Sequence, residues 1–292
     1  MNVGRGPRGA AYLAALLLVS SCGGGNPTSS PLVIRLADAP VDDALAVVVS
    51  VEGLDLDSFE FDFNPPLQVD LLAYADGRSM ILLDWRKAMA GTYGTYNRVR
   101  LRIRAGLDGQ DSWIDTPTGR HALWLPEANQ GGLSFKRSFT VPDHGRADFT
   151  IDFDLRQSII PPGEPGGPYV LDPVLRMVNT LNAGSIGGVV AGATAQAPGC
   201  VPVVYAFEGR VVPDDIDRIA PDPVTEGTVR LDPGSGEFRY VLAHLPSGNY
   251  TVALTCQGHL DRPDRDDSAA VSFGTPVIVA VASSQQARVD FP

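Results

Sequence analysis

The chain has 292 residues with 34 acidic against 23 basic side chains, a net charge of −11. That balance argues against nucleic acid and against tight adhesion to anionic lipid. With 31 Gly and 24 Pro and few helix-compatible runs, the composition calls for short strands and many turns, in a length sufficient for two domains.

The first 21 residues read as a signal peptide. Arg5 and Arg8 form a basic start, and Ala10 to Val19 is an apolar run too short to span a membrane. Ser20 and Ser21 then precede Cys22. The segment Val19-Ser20-Ser21-Cys22 resembles the bacterial lipobox. That resemblance implies lipid modification of Cys22, cleavage just before it, and, with Gly23 rather than Asp next, delivery to the outer membrane. Residues 22–31 are a Gly/Ser/Pro tether with no apolar face. The expectation is an envelope protein held by lipid at Cys22, facing either the periplasm or the medium.

Beyond the tether, alternation of apolar and polar residues dominates. Val99–Arg104 sets three arginines opposite three apolar residues, and Ala147–Leu155 sets Asp148, Asp152 and Asp154 among apolar ones. Each reads as a half-buried antiparallel strand. If the two are neighbours, ion pairs across them help fix the register. Further strands are expected at Leu32–Leu36, Leu45–Val51, Val69–Leu72, Met80–Leu83, Ser112–Ile114, His121–Leu125, Ser134–Val141 and Val170–Val178. Asn64–Pro66 and Pro161–Pro168 are expected to be loops because proline donates nothing to a sheet. The one helix-like stretch is Asp84–Ala90. These elements make a first domain over 32–181.

A second domain is expected over 184–292, with strands at Val201–Phe207, Thr228–Leu231, Glu237–Ala243, Asn249–Cys256, Ala270–Phe273, Val277–Val281 and Ala287–Phe291. Both domains read as antiparallel β-sandwiches in tandem, of immunoglobulin or transthyretin type. Gly91-Thr92-Tyr93 and Ser247-Gly248-Asn249-Tyr250 form an echo in which glycine turns the chain and tyrosine opens a buried face. In an oxidising compartment Cys200 and Cys256 are expected to pair. The alternatives are two buried thiols or a metal pair, and the second is poor without a nearby histidine.

Several blocks match a known family. Ile34-Arg35-Leu36-Ala37-Asp38-Ala39-Pro40-Val41-Asp42-Asp43-Ala44, then Phe139-Thr140-Val141-Pro142 with Asp148–Arg156, and finally Leu175-Arg176-Met177-Val178, resemble bacterial domain of unknown function family 4382 over about 32–180. Leu245-Pro246-Ser247-Gly248-Asn249-Tyr250-Thr251-Val252 resembles the carboxypeptidase-regulatory or transthyretin-like sandwich. Neither resemblance implies catalytic residues.

Catalytic motifs are missing. The four histidines form no metal-spaced pair, and Ala183-Gly184-Ser185-Ile186-Gly187 lacks the first glycine of a nucleophile elbow. No cofactor is expected apart from calcium, for which Asp38, Asp42 and Asp43 are the candidate ligands, with further acidic loops at Asp214, Asp215, Asp217 and at Asp261, Asp264, Asp266, Asp267. Solvated turn-forming aspartates are the competing reading. Trp85, Trp113 and Trp124 suit either a sugar platform or the core, and strand placement of the last two favours core. The expected function is a non-catalytic, lipid-anchored binding or structural protein whose loops at 213–223 and 257–268 meet an envelope protein or glycan. The alternative is a calcium-dependent or carbohydrate-binding adhesion module. A hydrolase would require a pocket with a perturbed acid–base pair.

Overall fold

The computed structural model describes residues 31–39, 41, 44–85, 93–126, 132–135 and 138–292. Up to residue 181 the strands are β1 (Leu32–Ala39), β2 (Ala46–Leu56), β3 (Phe59–Asp70), β4 (Met80–Trp85), β5 (Gly94–Tyr96), β6 (Val99–Arg104), β7 (Trp113–Thr116), β8 (Gly119–Trp124), β9 (Leu133–Phe135), β10 (Phe139–Val141), β11 (Ala147–Asp154), β12 (Ile159–Ile160), β13 (Tyr169–Leu171) and β14 (Val174–Asn179). A single helical turn, α1 (Leu155–Ser158), follows β11. From residue 184 they are β15 (Gly184–Val190), β16 (Val203–Glu208), β17 (Thr225–Thr228), β18 (Arg230–Leu231), β19 (Phe238–Leu245), β20 (Gly248–Thr255), β21 (Val277–Val281) and β22 (Gln286–Arg288), with one further turn, α2 (Gly192–Ala195), between β15 and β16.

No sheet mixes strands from the two stretches. In the N-terminal unit a four-stranded sheet, β14-β11-β1-β4, faces a larger sheet built on β2, which pairs with β3, β6 and β7. Ile34, Leu36, Val49, Leu54, Leu101, Ile151 and Phe153 fill the space between. The C-terminal unit stacks β18-β19-β15-β22 on β17-β16-β20-β21. Its core includes Ile186, Val204, Leu242, Tyr250 and Val252. The fold is the expected pair of β-sandwiches, except that β1–β11, β8–β13 and β15–β22 run parallel.

Glycine permits two close approaches. A Cβ on Gly53, at the register shift of β2, would lie 2.2 Å from Arg102 Nη2 and 2.5 Å from the Phe61 carbonyl. A Cβ on Gly188 in β15 would lie 1.7 Å from the Val289 carbonyl.

Five expectations fail. The arginine and acidic strands lie in different sheets, so they do not pair. Arg100 and Arg102 instead flank Asp55 of β2 at 2.9 and 3.0 Å, because β2 is the neighbour β6 pairs with. Asn64–Pro66 lies within β3, not in a loop. β3 pairs only with β2, and a proline on an edge strand removes no ladder bond. Ala270–Phe273 makes only an isolated bridge from Phe273 to Thr255. Asp84 and Trp85 close β4 rather than opening a helix, and 86–90 lies outside the described residues. In the tyrosine echo Gly91 and Thr92 lie outside the described residues and Tyr93 is exposed. The buried tyrosine sits one copy later, at Gly94-Thr95-Tyr96, stacked on Phe139.

Sheet β17-β16-β20-β21 is covered on both faces. Val204 and Ala206 face the core, while Val203, Tyr205 and Phe207 form a second cluster with Ile216 and Phe273. The long connections after β16 and β20 therefore act as a third layer. Cys200 and Cys256 are bonded, as expected, and tie the approach to β16 to the end of β20 across 56 residues. The pair closes a loop of that size in the unfolded chain. Replacing both cysteines with serine is expected to lower the unfolding free energy by about 2–4 kcal/mol, read from urea midpoints. The same loss is expected for the unaltered protein in reductant, and no further loss for the double variant.

Candidate functional site: the interface between the two units

β11 is buried on both faces along its whole length. One face meets the N-terminal core. The other carries Asp148, Asp152 and Asp154, so three carboxylates leave water and each must find a partner. Asp148 takes Arg35 at 2.8 Å and also Arg146. Asp152, 2% exposed, takes Arg176 at 2.5 Å from the adjacent β14. Arg176 then reaches into the C-terminal unit and donates to the carbonyls of His244 and Ala243 at 2.9 Å each.

The other cross-unit bonds follow the same pattern. Arg156 Nη1 donates to the Gly258 carbonyl at 2.9 Å, and Gln157 Nε2 donates to the Pro223 carbonyl and to Glu226. Arg218 reaches back to Asp172 and to the Gln157 carbonyl. Its backbone is left-handed, at φ 69°, where Asp222 accepts its N–H. Arg230 meets Asp76 at 3.3 Å, and Arg262 donates to the Pro161 carbonyl.

Between Asp154 and Glu226 the contact is carboxyl to carboxyl. Burial raises both; Asp152 adds to the rise at Asp154 and Asp154 adds to it at Glu226, so Asp154 is pushed up to about 6 and Glu226 lies well above its ordinary value. Asp154 also caps α1 by accepting the Gln157 N–H at 3.0 Å. Asp38, 4% exposed on β1, faces the same interior, and burial with Asp152 and Asp154 nearby raises it strongly. The void lined by Asp38, Asp152, Glu226 and His244 measures only about 10 Å3, the space of one water. Burial lowers the pKa of His244 below the ordinary imidazole value.

Beside this interface a cleft of about 270 Å3 opens between the units. Ile114, Ile159, Pro161 and Tyr169 wall it on one side, and His259, Arg262 and Pro263 on the other, with Arg156 in its lining. Its polar groups are largely engaged. Arg262 grips Asp264 at 2.9 Å, Asp261 accepts from Tyr205 Oη at 2.6 Å and from the Ile216 N–H, and Thr116 donates to the Gly119 carbonyl. No serine, cysteine or lysine lines it. Such a surface suits an apolar group.

Cys22, Asp42 and Asp43 lie outside the described residues. Asp38 lies in the inter-unit interior. Among the described residues no three His, Cys, Asp or Glu side chains sit together as metal ligands. The aspartates of the two C-terminal loops are largely fasteners. Asp215 accepts the Asp267 N–H, Asp267 accepts the Arg262 N–H, and Asp222 accepts from Asp217 and Arg218. Trp85 packs edge-on to Phe59 and Phe61, and Trp113 is covered by the Arg120 guanidinium at 4.3 Å. Trp124 is half-buried. The residues missed were Asp152, Asp154, Arg176 and Glu226. The available signal was three aspartates on one strand with few lysines or arginines in local register.

Removing the Arg176 side chain strands Asp152 in the interior. Arg176→Ala is expected to cost about 3–5 kcal/mol in a chemical melt, and Asp152→Asn combined with it to recover part of the loss. The raised carboxyls set the pH dependence. Asp154 and Asp215 titrate near 6 in the fold against 3.8 unfolded, so folding takes up protons over that window. Their contribution is complete below the unfolded value and is lost as pH rises through 6. The melting temperature is expected to be higher near pH 5 than near pH 7.5, and Glu226→Gln to flatten that slope.

Comparisons with known proteins give one family match and several loose structural ones. Among curated proteins none matches the chain. It covers 33% of the Bacillus anthracis TIE protein at 9% identity and a TM-score of 0.20, with 89% of the present chain matched. The minor pilin GBS52 of Streptococcus agalactiae matches at 10% identity, over 90% of this chain and 94% of that one, with a TM-score of 0.19. A Bacteroides ovatus protein described as a putative adhesin matches at 10%, over 86% and 79%, with a TM-score of 0.18. Superpositions this loose carry no argument about function. The family comparison is specific: residues 29–173 match the model described as "Domain of unknown function (DUF4382)".

Proposed function

We propose that this chain is a non-catalytic envelope protein, lipid-anchored at Cys22 to the outer membrane, that serves as a rigid binding or structural body. The observation that carries this reading is the use made of its ionisable side chains. Many of the buried ones join one unit to the other or one loop to the next, and the polar groups of the inter-unit cleft are largely engaged. Among the described residues no helix is long and apolar enough to cross a membrane, which agrees with an anchor of another kind. The C-terminal unit, with two stacked four-stranded sheets, is read as a carboxypeptidase-regulatory or transthyretin-like module. The cleft is its contact surface for an apolar group of an envelope partner.

The alternative, calcium- or sugar-dependent adhesion, is less favoured by the covered faces of Trp85 and Trp113. Cells making the protein are expected to incorporate labelled fatty acid into it and to retain it in the membrane fraction. Cys22→Ser is expected to abolish both; an unlabelled wild-type protein in the soluble fraction would remove the anchor from the reading. Melting the protein in chelator and in millimolar calcium separates the two readings. The same midpoint supports the leading one, and a rise with calcium supports the adhesion module.

A further inference from the structure

The seam between the units gathers more buried acid than its cations balance. Asp38 of β1, Asp152 and Asp154 of β11 and Glu226 of β17 are each no more than 4% exposed. Two guanidiniums face them. Asp152 takes Arg176 of β14, and Arg156 of α1 lies toward Glu226 and Tyr205. With every one of these carboxyls ionised, two negative charges stay unanswered in the interior, where an unpaired charge is costly. The surrounding groups do not make up the difference. Asp70 of β3 adds to the repulsion on Asp38, Asp76 is paired with Arg230, and Arg35 is paired with Asp148. Asp261 is taken by the Tyr205 hydroxyl, and Arg78 donates to the Ala75 carbonyl. Burial lowers the affinity of His244 of β19 for a proton, so it is a weak source of positive charge.

The hydrogen bonding points the same way. Neither carboxyl oxygen of Asp38 makes a well-formed hydrogen bond among the described residues, and neither do Asp152 Oδ1, Glu226 Oε2 and His244 Nε2. All four residues line the one small void between the units. A proton on Asp38 or Glu226 places a donor among these acceptors. Burial accordingly raises Asp38 and Glu226 well above their ordinary values, with the neighbouring carboxylates adding to the rise. Opening the seam relieves the excess charge without unfolding either unit. Each sandwich has its own core, and no sheet crosses from one to the other. The connection from Asn179 at the end of β14 to Gly184 at the start of β15 keeps the units tethered.

We propose that the seam is a proton-operated joint: the two units stay docked while Asp38 and Glu226 hold protons, and swing apart on their connection when those protons leave. Both groups bind a proton more tightly in the docked seam than in water. Docking is therefore strongest below their ordinary values and weakens as pH rises through the docked ones. With two protons involved, it weakens about a hundredfold per pH unit beyond that point. Seam bonds such as that from Arg176 to the Ala243 carbonyl are exchanged for bonds to water and carry no such slope.

Energy transfer between two dyes on the full chain in detergent tests this. The dyes are attached through unnatural amino acids at Leu107 and Ile278, both exposed and one on each unit. Transfer is expected to be steady near pH 5 and to fall reversibly toward about pH 9, while the far-ultraviolet circular dichroism stays unchanged. Asp38→Asn/Glu226→Gln carries amides that cannot ionise and is expected to keep its transfer across that range. Transfer in the wild type that ignores pH, or that falls only together with the circular dichroism, would overturn the proposal. So would a double variant that loses transfer at the wild-type midpoint. If the double variant does not fold, Glu226→Gln alone takes its place and is expected to move the midpoint up by about one pH unit or more. An unmoved midpoint there overturns the proposal equally.

Discussion

A carboxylate in a protein interior needs a partner, and β11 brings three of them inside on one face of one strand. Their neutralisation organises much of the molecule. Arg35 and Arg146 answer Asp148, Arg176 answers Asp152, and Gln157 answers Asp154. The last two solutions reach beyond the N-terminal unit. Arg176 takes carbonyl acceptors from β19, and Gln157 also donates to Glu226 of β17. The C-terminal unit therefore docks where the N-terminal unit has unmet polar demand. The docking is polar in character, and the two apolar cores remain separate.

That arrangement shapes what is left for function. The acidic side chains of the C-terminal loops are engaged with each other's segments, with Tyr205 and with the backbone. In doing so they cover the outer face of β16 and β20, where Tyr205 and Phe207 require an apolar roof. The cleft beside the interface is then left with aliphatic and aromatic walls and cations that are already engaged. Walls of this kind suit an apolar group.

The strand pattern was legible from alternation alone, as in Val99–Arg104, and the disulfide from compartment logic. What alternation does not carry is the identity of the neighbour. Period two says that Asp148, Asp152 and Asp154 share a face. It does not say whether that face meets water, a basic strand or another unit. The solvated reading was natural for an acidic run, and it failed because burial of the face depends on contacts from beyond residue 184. Pro65 and Pro66 misled for a related reason. Proline excludes a central strand, and whether a strand is central or an edge is decided by the sheet. The interface residues were hidden in the same way, since Arg176 and Glu226 acquire their meaning only from what faces them.

The parallel pairs β1–β11 and β15–β22 have a mechanical consequence. In each unit the first strand runs parallel to a strand near that unit's end. In the C-terminal unit β22 is the last strand, so tension between residues 184 and 292 pulls the start of β15 and the end of β22 in opposite directions, along their length. The hydrogen bonds between them are then loaded together in shear, where a hairpin would release them one by one. In the N-terminal unit β14 follows β11 and runs antiparallel to it, which brings the exit of the unit back beside the start of β1 and leaves that sandwich without such a clamp.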